Sequence, residues 1–131
     1  MPRKIVKKTW GYEIWFANVD DPDVGYCGKE IFVKGGEWSS KGLYHHHEQK
    51  DETFYIIEGY LELDYVTLLN NFKKIILGPG DSFRIKPLIK HRFTGCFHTD
   101  CKFIEASTTH YDYDSYRSEW DEKREVWVAK K

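Results

Sequence analysis

Between Trp10 and about Thr109 the chain consists of short alternating runs divided by turn signals, and this pattern most restricts the fold. Tyr60-Leu-Glu-Leu-Asp-Tyr alternates apolar with polar residues and follows Thr53-Phe-Tyr-Ile-Ile-Glu across a bend at Gly59. Asn70-Asn71 separates a run ending at Leu69 from Phe72-Lys-Lys-Ile-Ile-Leu, as a hairpin turn does. Gly78-Pro-Gly-Asp reads as a tight turn. Further strands are expected at Trp10–Phe16, Lys29–Lys34, Leu43–His47, Ser82–Ile85, His91–Thr94 and Lys102–Ser107, with Asn18 to Gly28 as a loop. Many short strands at regular spacing predict an all-β sandwich or closed barrel. Aromatic residues make up 17 % of the chain, which suits half-buried pleated surfaces.

The 131 residues fit one domain, with a barrel core over about 10–109 and a tail over 110–131. Asp114-Ser115 reads as a helix cap, and Tyr116, Trp120 and Trp127 lie near helical spacing. A short helix over roughly 115–126 is therefore expected, packed on the barrel, with an extended tail as the alternative. The charges from Glu119 to Glu125 would form its solvated face.

Twenty basic against 21 acidic residues leave a net charge of -1, which gives no basis for binding nucleic acid or an acidic membrane. No apolar run approaches the roughly 20 residues of a bilayer span. The basic N-terminus is not followed by an apolar stretch, so no secretory signal is read and a cytoplasmic location is expected. Three cysteines, Cys27, Cys96 and Cys101, are then expected as reduced thiols. A disulfide between Cys96 and Cys101, across a turn at His98-Thr99-Asp100, is the alternative.

The segment from His45 to Glu52, HHHEQKDE, carries the chemistry. Residues two apart in a strand share a face, so His45 and His47 point one way and His46 the other. Two imidazoles so placed can hold one ion at roughly 2.0–2.2 Å. Glu52, after a short turn, can return a carboxylate to that face. A histidine on a strand face is more often structural, and the residues alone leave both readings open.

The stretch Gly42-Leu-Tyr-His-His-His-Glu-Gln-Lys-Asp-Glu-Thr-Phe-Tyr-Ile-Ile-Glu-Gly59 resembles the first motif of the cupins, His-x-His-x4-Glu followed by Gly. Pro79-Gly-Asp-Ser-Phe-Arg-Ile-Lys-Pro-Leu-Ile-Lys-His91 resembles the second. The resemblance implies a double-stranded β-helix, the cupin or jelly-roll barrel, over a single domain of residues 1–131. It implies that His45, His47, Glu52 and His91 hold one divalent ion, with Mn, Fe, Co, Ni and Zn all suited to that donor set. Two departures stand out: Leu88 occupies the place where the family usually has Gly after the motif's Pro, and the Asn usual after the last His is absent.

Lys8-Thr-Trp-Gly-Tyr-Glu13 is similar to the opening of cupins of the phosphomannose isomerase and guanylyltransferase group. Ile104-Glu-Ala-Ser-Thr-Thr-His110, with Asp114-Ser-Tyr116, is similar to the end of cupin modules associated with sialic acid synthases. This implies a small, sugar-derived substrate and an isomerase or epimerase. An Fe(II)-dependent oxygenase and a non-catalytic sugar-binding module are the alternatives. Glu105 is the candidate base, since Phe103, Glu105 and Ser107 share one strand face; an exposed strand Glu is the plain alternative. Lys90, beside His91, is the candidate for an anionic substrate group, with a solvated Lys as its alternative. His110, after the strand that bears Glu105, is expected to cap the barrel mouth, with a structural role as its alternative. Trp10, Trp15 and Trp38 are expected to cover the barrel or to form the interface of a homodimer, and Tyr44 to pack outside.

Overall fold

The computed structural model describes residues 3–18, 21 and 23–131. Among the described residues, twelve strands form two six-stranded antiparallel sheets. One sheet contains β1 (Lys4–Lys8), β2 (Gly11–Ala17), β3 (Tyr26–Val33), β5 (Glu52–Glu58), β8 (Ser82–Ile85) and β10 (Cys101–Thr108), in the order β1-β2-β3-β10-β5-β8. The other contains β4 (Tyr44–His46), β6 (Leu61–Val66), β7 (Phe72–Leu77), β9 (Lys90–Gly95), β11 (Tyr116–Asp121) and β12 (Val126–Lys130), in the order β12-β11-β4-β9-β6-β7. Successive strands therefore pass between sheets repeatedly, which gives the jelly-roll arrangement and an all-β fold.

Alternation decides what faces inward. Along β10, Cys101, Phe103, Glu105 and Ser107 are buried, while the residues between them are more exposed. On β5 the buried set is Glu52, Phe54 and Ile56. The core consists of such positions: Ile31, Val33, Phe54, Leu63, Phe93 and Phe103 belong to it, with Phe93 edge-on to Phe54 at 5.9 Å and to Phe103 at 5.2 Å. Apolar residues fill one end of the barrel, and the polar inward positions gather at the other. Gly59 closes the β5–β6 bend with φ 76°, and a Cβ there would lie 2.1 Å from the Asp100 carbonyl oxygen, so only glycine fits.

Three expectations are corrected. The tail holds no helix over 115–126. It is a hairpin, β11–β12, which joins the second sheet through β4. Asp121 makes its turn, accepting the N–H groups of Lys123 and Arg124 at 3.0 and 3.1 Å, and Glu125 takes φ 53°. Trp120 and Trp127 become a cross-strand pair with centroids 5.3 Å apart. Trp127 stacks on Phe72 and donates its indole N–H to the Asn70 side chain, so the hairpin covers the outer face of its sheet. The aromatic spacing served both structures, and burial against Phe72 and Tyr44 selected strands.

Trp10 does not lie outside the barrel. It is in the core, edge-on to Phe93 at 5.3 Å, and its carbonyl accepts the Lys34 N–H at 2.8 Å. The strand before it, β1, is an additional edge whose lysines hid its alternation, and charged edges resist further pairing. The loop expected from 18 to 28 ends earlier, because Tyr26 to Gly28 belong to β3; Val19, Asp20 and Pro22 lie outside the described residues. The three cysteines are free and buried. Among the described residues no helix is long and apolar enough to cross a membrane.

Candidate metal centre

The strand ladder brings the two histidine segments together. His45 on β4 lies opposite His91 on β9, and their ring centroids are 4.1 Å apart. His47 follows β4 on the same face, and one donor atom from each of His45, His47 and His91 lies within 4.8 Å of the others. Glu52, the first residue of β5, sends Oε2 to 3.3 Å from His47 Nε2 and 3.7 Å from His91 Nε2. His46 points away and stacks on Tyr116.

The tautomers suit an ion. His47 Nδ1–H donates to the Asp114 carbonyl at 2.6 Å and His91 Nδ1–H to the Ile89 carbonyl at 3.0 Å. Each therefore presents a bare Nε2. Burial keeps the imidazoles neutral: His45 is held well below the ordinary histidine value, His47 falls to about 3 and His91 to about 4. Neighbouring His91 and His47 lower His45 further, and the Lys50 ammonium lowers His47. Three buried polar atoms at the centre, His45 Nδ1, His91 Nε2 and Glu52 Oε2, have no hydrogen-bond partner. Buried polar atoms are rarely left unpaired, and a coordinated cation accounts for all three. The donor set fits a divalent ion.

The centre opens into a cavity of about 660 Å³. Glu105, on β10, faces into it and is 4 % exposed. The Lys50 ammonium donates to Glu105 Oε2 at 3.0 Å, and Lys29 Nζ lies 4.0 Å away. Burial opposes ionisation of Glu105, but these two cations outweigh it and hold the carboxyl far below its usual range. Glu52 goes the other way: burial raises it to about 8, helped by the Glu105 charge and a hydrogen bond to Glu105.

Lys29 also approaches Glu13 at 3.9 Å and His110 Nδ1 at 3.4 Å, and lies over the Trp15 ring. Trp15, Lys29 and His110 line the cavity.

Lys90 is not brought to this cavity. Alternation along β9 sends it opposite to His91, onto the outer face, where its ammonium sits 5.1 Å from the Trp127 ring centre. The inward cations are Lys50 and Lys29, which the sequence reading missed. Lys29 was within reach, since Lys29, Ile31 and Val33 form the buried phase of β3. Lys50 sits in a turn, where no periodicity applies. Tyr44 does pack outside the barrel, beneath Phe72 and Trp127. Leu88 takes φ 74°, the left-handed conformation in which glycine is at ease, and its N–H donates to the His47 carbonyl at 2.7 Å.

A cupin-domain family model matches residues 30–107, which include all four candidate ligands and Glu105. No curated protein matches the chain. Among solved structures, oxalate decarboxylase from Bacillus subtilis at pH 4.6 superposes with a TM-score of 0.76 and 14 % identity, over 88 % of this chain and 30 % of that one. The capsular polysaccharide assembling protein CapF from Staphylococcus aureus gives 0.73 and 18 %, over 88 % and 31 %. Oxalate decarboxylase from Lactobacillus farciminis in its formate complex gives 0.72 and 15 %, over 86 % and 33 %. The chain thus spans about a third of the length of these proteins, and at such identities they show a shared fold.

Proposed function

This chain belongs to the cupin family, and from that premise we propose that it is a metal-dependent isomerase or epimerase acting on a sugar or sugar derivative. His45, His47, Glu52 and His91 would hold one Mn, Fe, Co, Ni or Zn ion. The observation that carries the reading is the buried Glu105–Lys50 ion pair in the cavity lined by His45, His47 and Glu52, with His91 beside them. An acid and a base beside a carbonyl-binding site are what proton transfer between adjacent carbons requires. CapF, named for capsular polysaccharide assembly, is in keeping with sugar chemistry on this fold.

When bound, the ion supplies polarisation of a substrate carbonyl. Glu105 takes the proton from the neighbouring carbon and returns it to the next. Lys50 sets its basicity: paired with Lys50 the carboxylate is a weak base, and a substrate oxygen that draws the ammonium away strengthens it. Trp10 and Phe54 supply apolar wall to the cavity.

One observation favours a second reading. Two lysines hold Glu105 strongly ionised, which suits a fixed counter-ion in a non-catalytic sugar-binding module. Deuterium exchange at carbon in D₂O separates the two. Aldoses, ketoses and their phosphates are screened with each metal; exchange that disappears in Glu105→Gln while metal binding persists supports the enzyme. Tight sugar binding with no exchange supports the module. Oxygen uptake with Fe(II) would replace both with an oxygenase.

A further inference from the structure

We infer that Asp114, which lies outside the matched family segment 30–107, is the positioning residue of the metal centre. The inference rests on the metal-centre reading above. Its basis is one residue holding two parts of the site at once.

Asp114 ends the short turn Asp112–Asp114 and is 1 % exposed. Its own N–H donates to the Tyr111 carbonyl at 2.9 Å, which fixes its place. Its carboxylate reaches across to the turn between His47 and Glu52. Oδ1 accepts the N–H groups of Glu48 at 2.8 Å and Gln49 at 3.2 Å; Oδ2 accepts those of Gln49 at 3.1 Å and Lys50 at 3.0 Å. Its carbonyl accepts His47 Nδ1–H at 2.6 Å.

Three successive backbone donors converge on one charge, and charge-assisted bonds of this kind are roughly twice as strong as neutral ones. They set the path from His47 to Glu52, and so the spacing of two ligands. The same residue's carbonyl fixes the His47 ring and its tautomer. Ring orientation and turn conformation are thereby tied together. The third donor is the Lys50 N–H, so the clasp also aims the Lys50 side chain at Glu105. Partners of this sort usually change metal affinity about 10–100-fold when removed.

The test uses Co(II) alone, with affinity measured by chelator competition and site geometry by the visible absorption of the bound ion. Asp114→Ala is expected to weaken Co(II) binding about 10–100-fold and to alter the spectrum. Asp114→Asn keeps the shape and one acceptor oxygen but turns the other into a donor facing N–H groups; it should fall between, and it decides the matter if the alanine variant does not fold. Leu77→Ala is the stability control. Leu77 is buried at the Leu61–Gly95 level of its sheet, four ladder positions from His91, so its loss should lower stability and leave the Co(II) spectrum and affinity unchanged.

A further readout needs no mutation: the imidazole ¹⁵N spectrum of the Zn-loaded wild type should show His47 protonated at Nδ1. Wild-type affinity and spectrum in both Asp114 variants would overturn the inference, as would an affinity loss equally large in Leu77→Ala, or an Nε2–H tautomer at His47. If the wild type binds no metal, the metal-centre reading itself fails and takes the inference with it.

Discussion

Replacing Glu52 by Gln should move the stability of the metal-free and metal-loaded protein in opposite directions. Glu52 is 2 % exposed, and its carboxyl is raised from 4.5 to about 8, chiefly by burial. A group whose folded value is raised contributes stability that is complete below its unfolded value and lost as pH rises through the folded one. Between those values the folded metal-free protein must keep a proton that the unfolded chain has released. At about pH 7.5 that amounts to about three pKa units, or roughly 4 kcal/mol. The amide has nearly the same shape, carries no charge and can still donate toward Glu105. Glu52→Gln should therefore stabilise the chelator-treated protein by up to about 4 kcal/mol near pH 7.5 and by little near pH 4.5. With metal present the order inverts, because an ion that binds only the folded state stabilises the wild type and the variant has lost an anionic ligand. Urea unfolding followed by tryptophan fluorescence, at both pH values, with chelator and then with excess metal, measures all four quantities. A variant that is destabilised equally at both pH values without metal would refute the argument.

The histidines give a second pH window in metal-free protein. His91 is lowered from 6.5 to about 4, so its contribution is complete above pH 6.5 and is lost as pH falls through 4, a loss of roughly 3 kcal/mol; in metal-free Glu52→Gln, which lacks the opposing Glu52 carboxyl, urea midpoints that do not fall across that range would contradict it. Leu88→Gly should raise stability by about 0.5–1 kcal/mol, since a left-handed non-glycine residue costs about 1–2 kcal/mol and glycine's extra unfolded freedom returns part of that; a lower thermal midpoint would count against the strain. Trp127→Ala should lose about 2–3 kcal/mol by uncovering Tyr44, Phe72 and Trp120, and a calorimetric midpoint equal to the wild type would show that this packing contributes nothing.

The barrel was legible because strand periodicity is local. The runs at Phe72–Leu77 and Ser82–Ile85 need only their own side chains to be recognised. The four candidate ligands were legible through a motif, and the shared face of Phe103, Glu105 and Ser107 through alternation. Residues whose partners are distant in sequence were not. Asp114 was read as a helix cap: the chemistry was right, an aspartate accepting backbone N–H groups, but the recipients lie 64 to 66 positions away. Lys90 was chosen for its nearness to His91 in sequence, although neighbours on a strand face opposite sides. The tail was misread because Tyr116, Trp120 and Trp127 are spaced as on one helix face, while a turn at 122–125 pairs Trp120 with Trp127 across a hairpin, and packing on Tyr44 and Phe72 decides for the hairpin.

The ladder between β4 and β9 contains a single residue pair, His45 with His91, and an isolated bridge from Trp38 to Thr94 lies further along. The second sheet is therefore two panels, β12-β11-β4 and β9-β6-β7, joined at a narrow seam. The three candidate histidines straddle that seam, with His45 and His47 on one side and His91 on the other, and Glu52 faces them from β5 of the other sheet. An ion there would act as a rivet. Its removal would loosen that seam together with the tie through Glu52 to β5 of the facing sheet, so opening of this sheet would be a local event with its own free energy. The C-terminal hairpin, which belongs to the panel bearing two of the histidines, would swing with it.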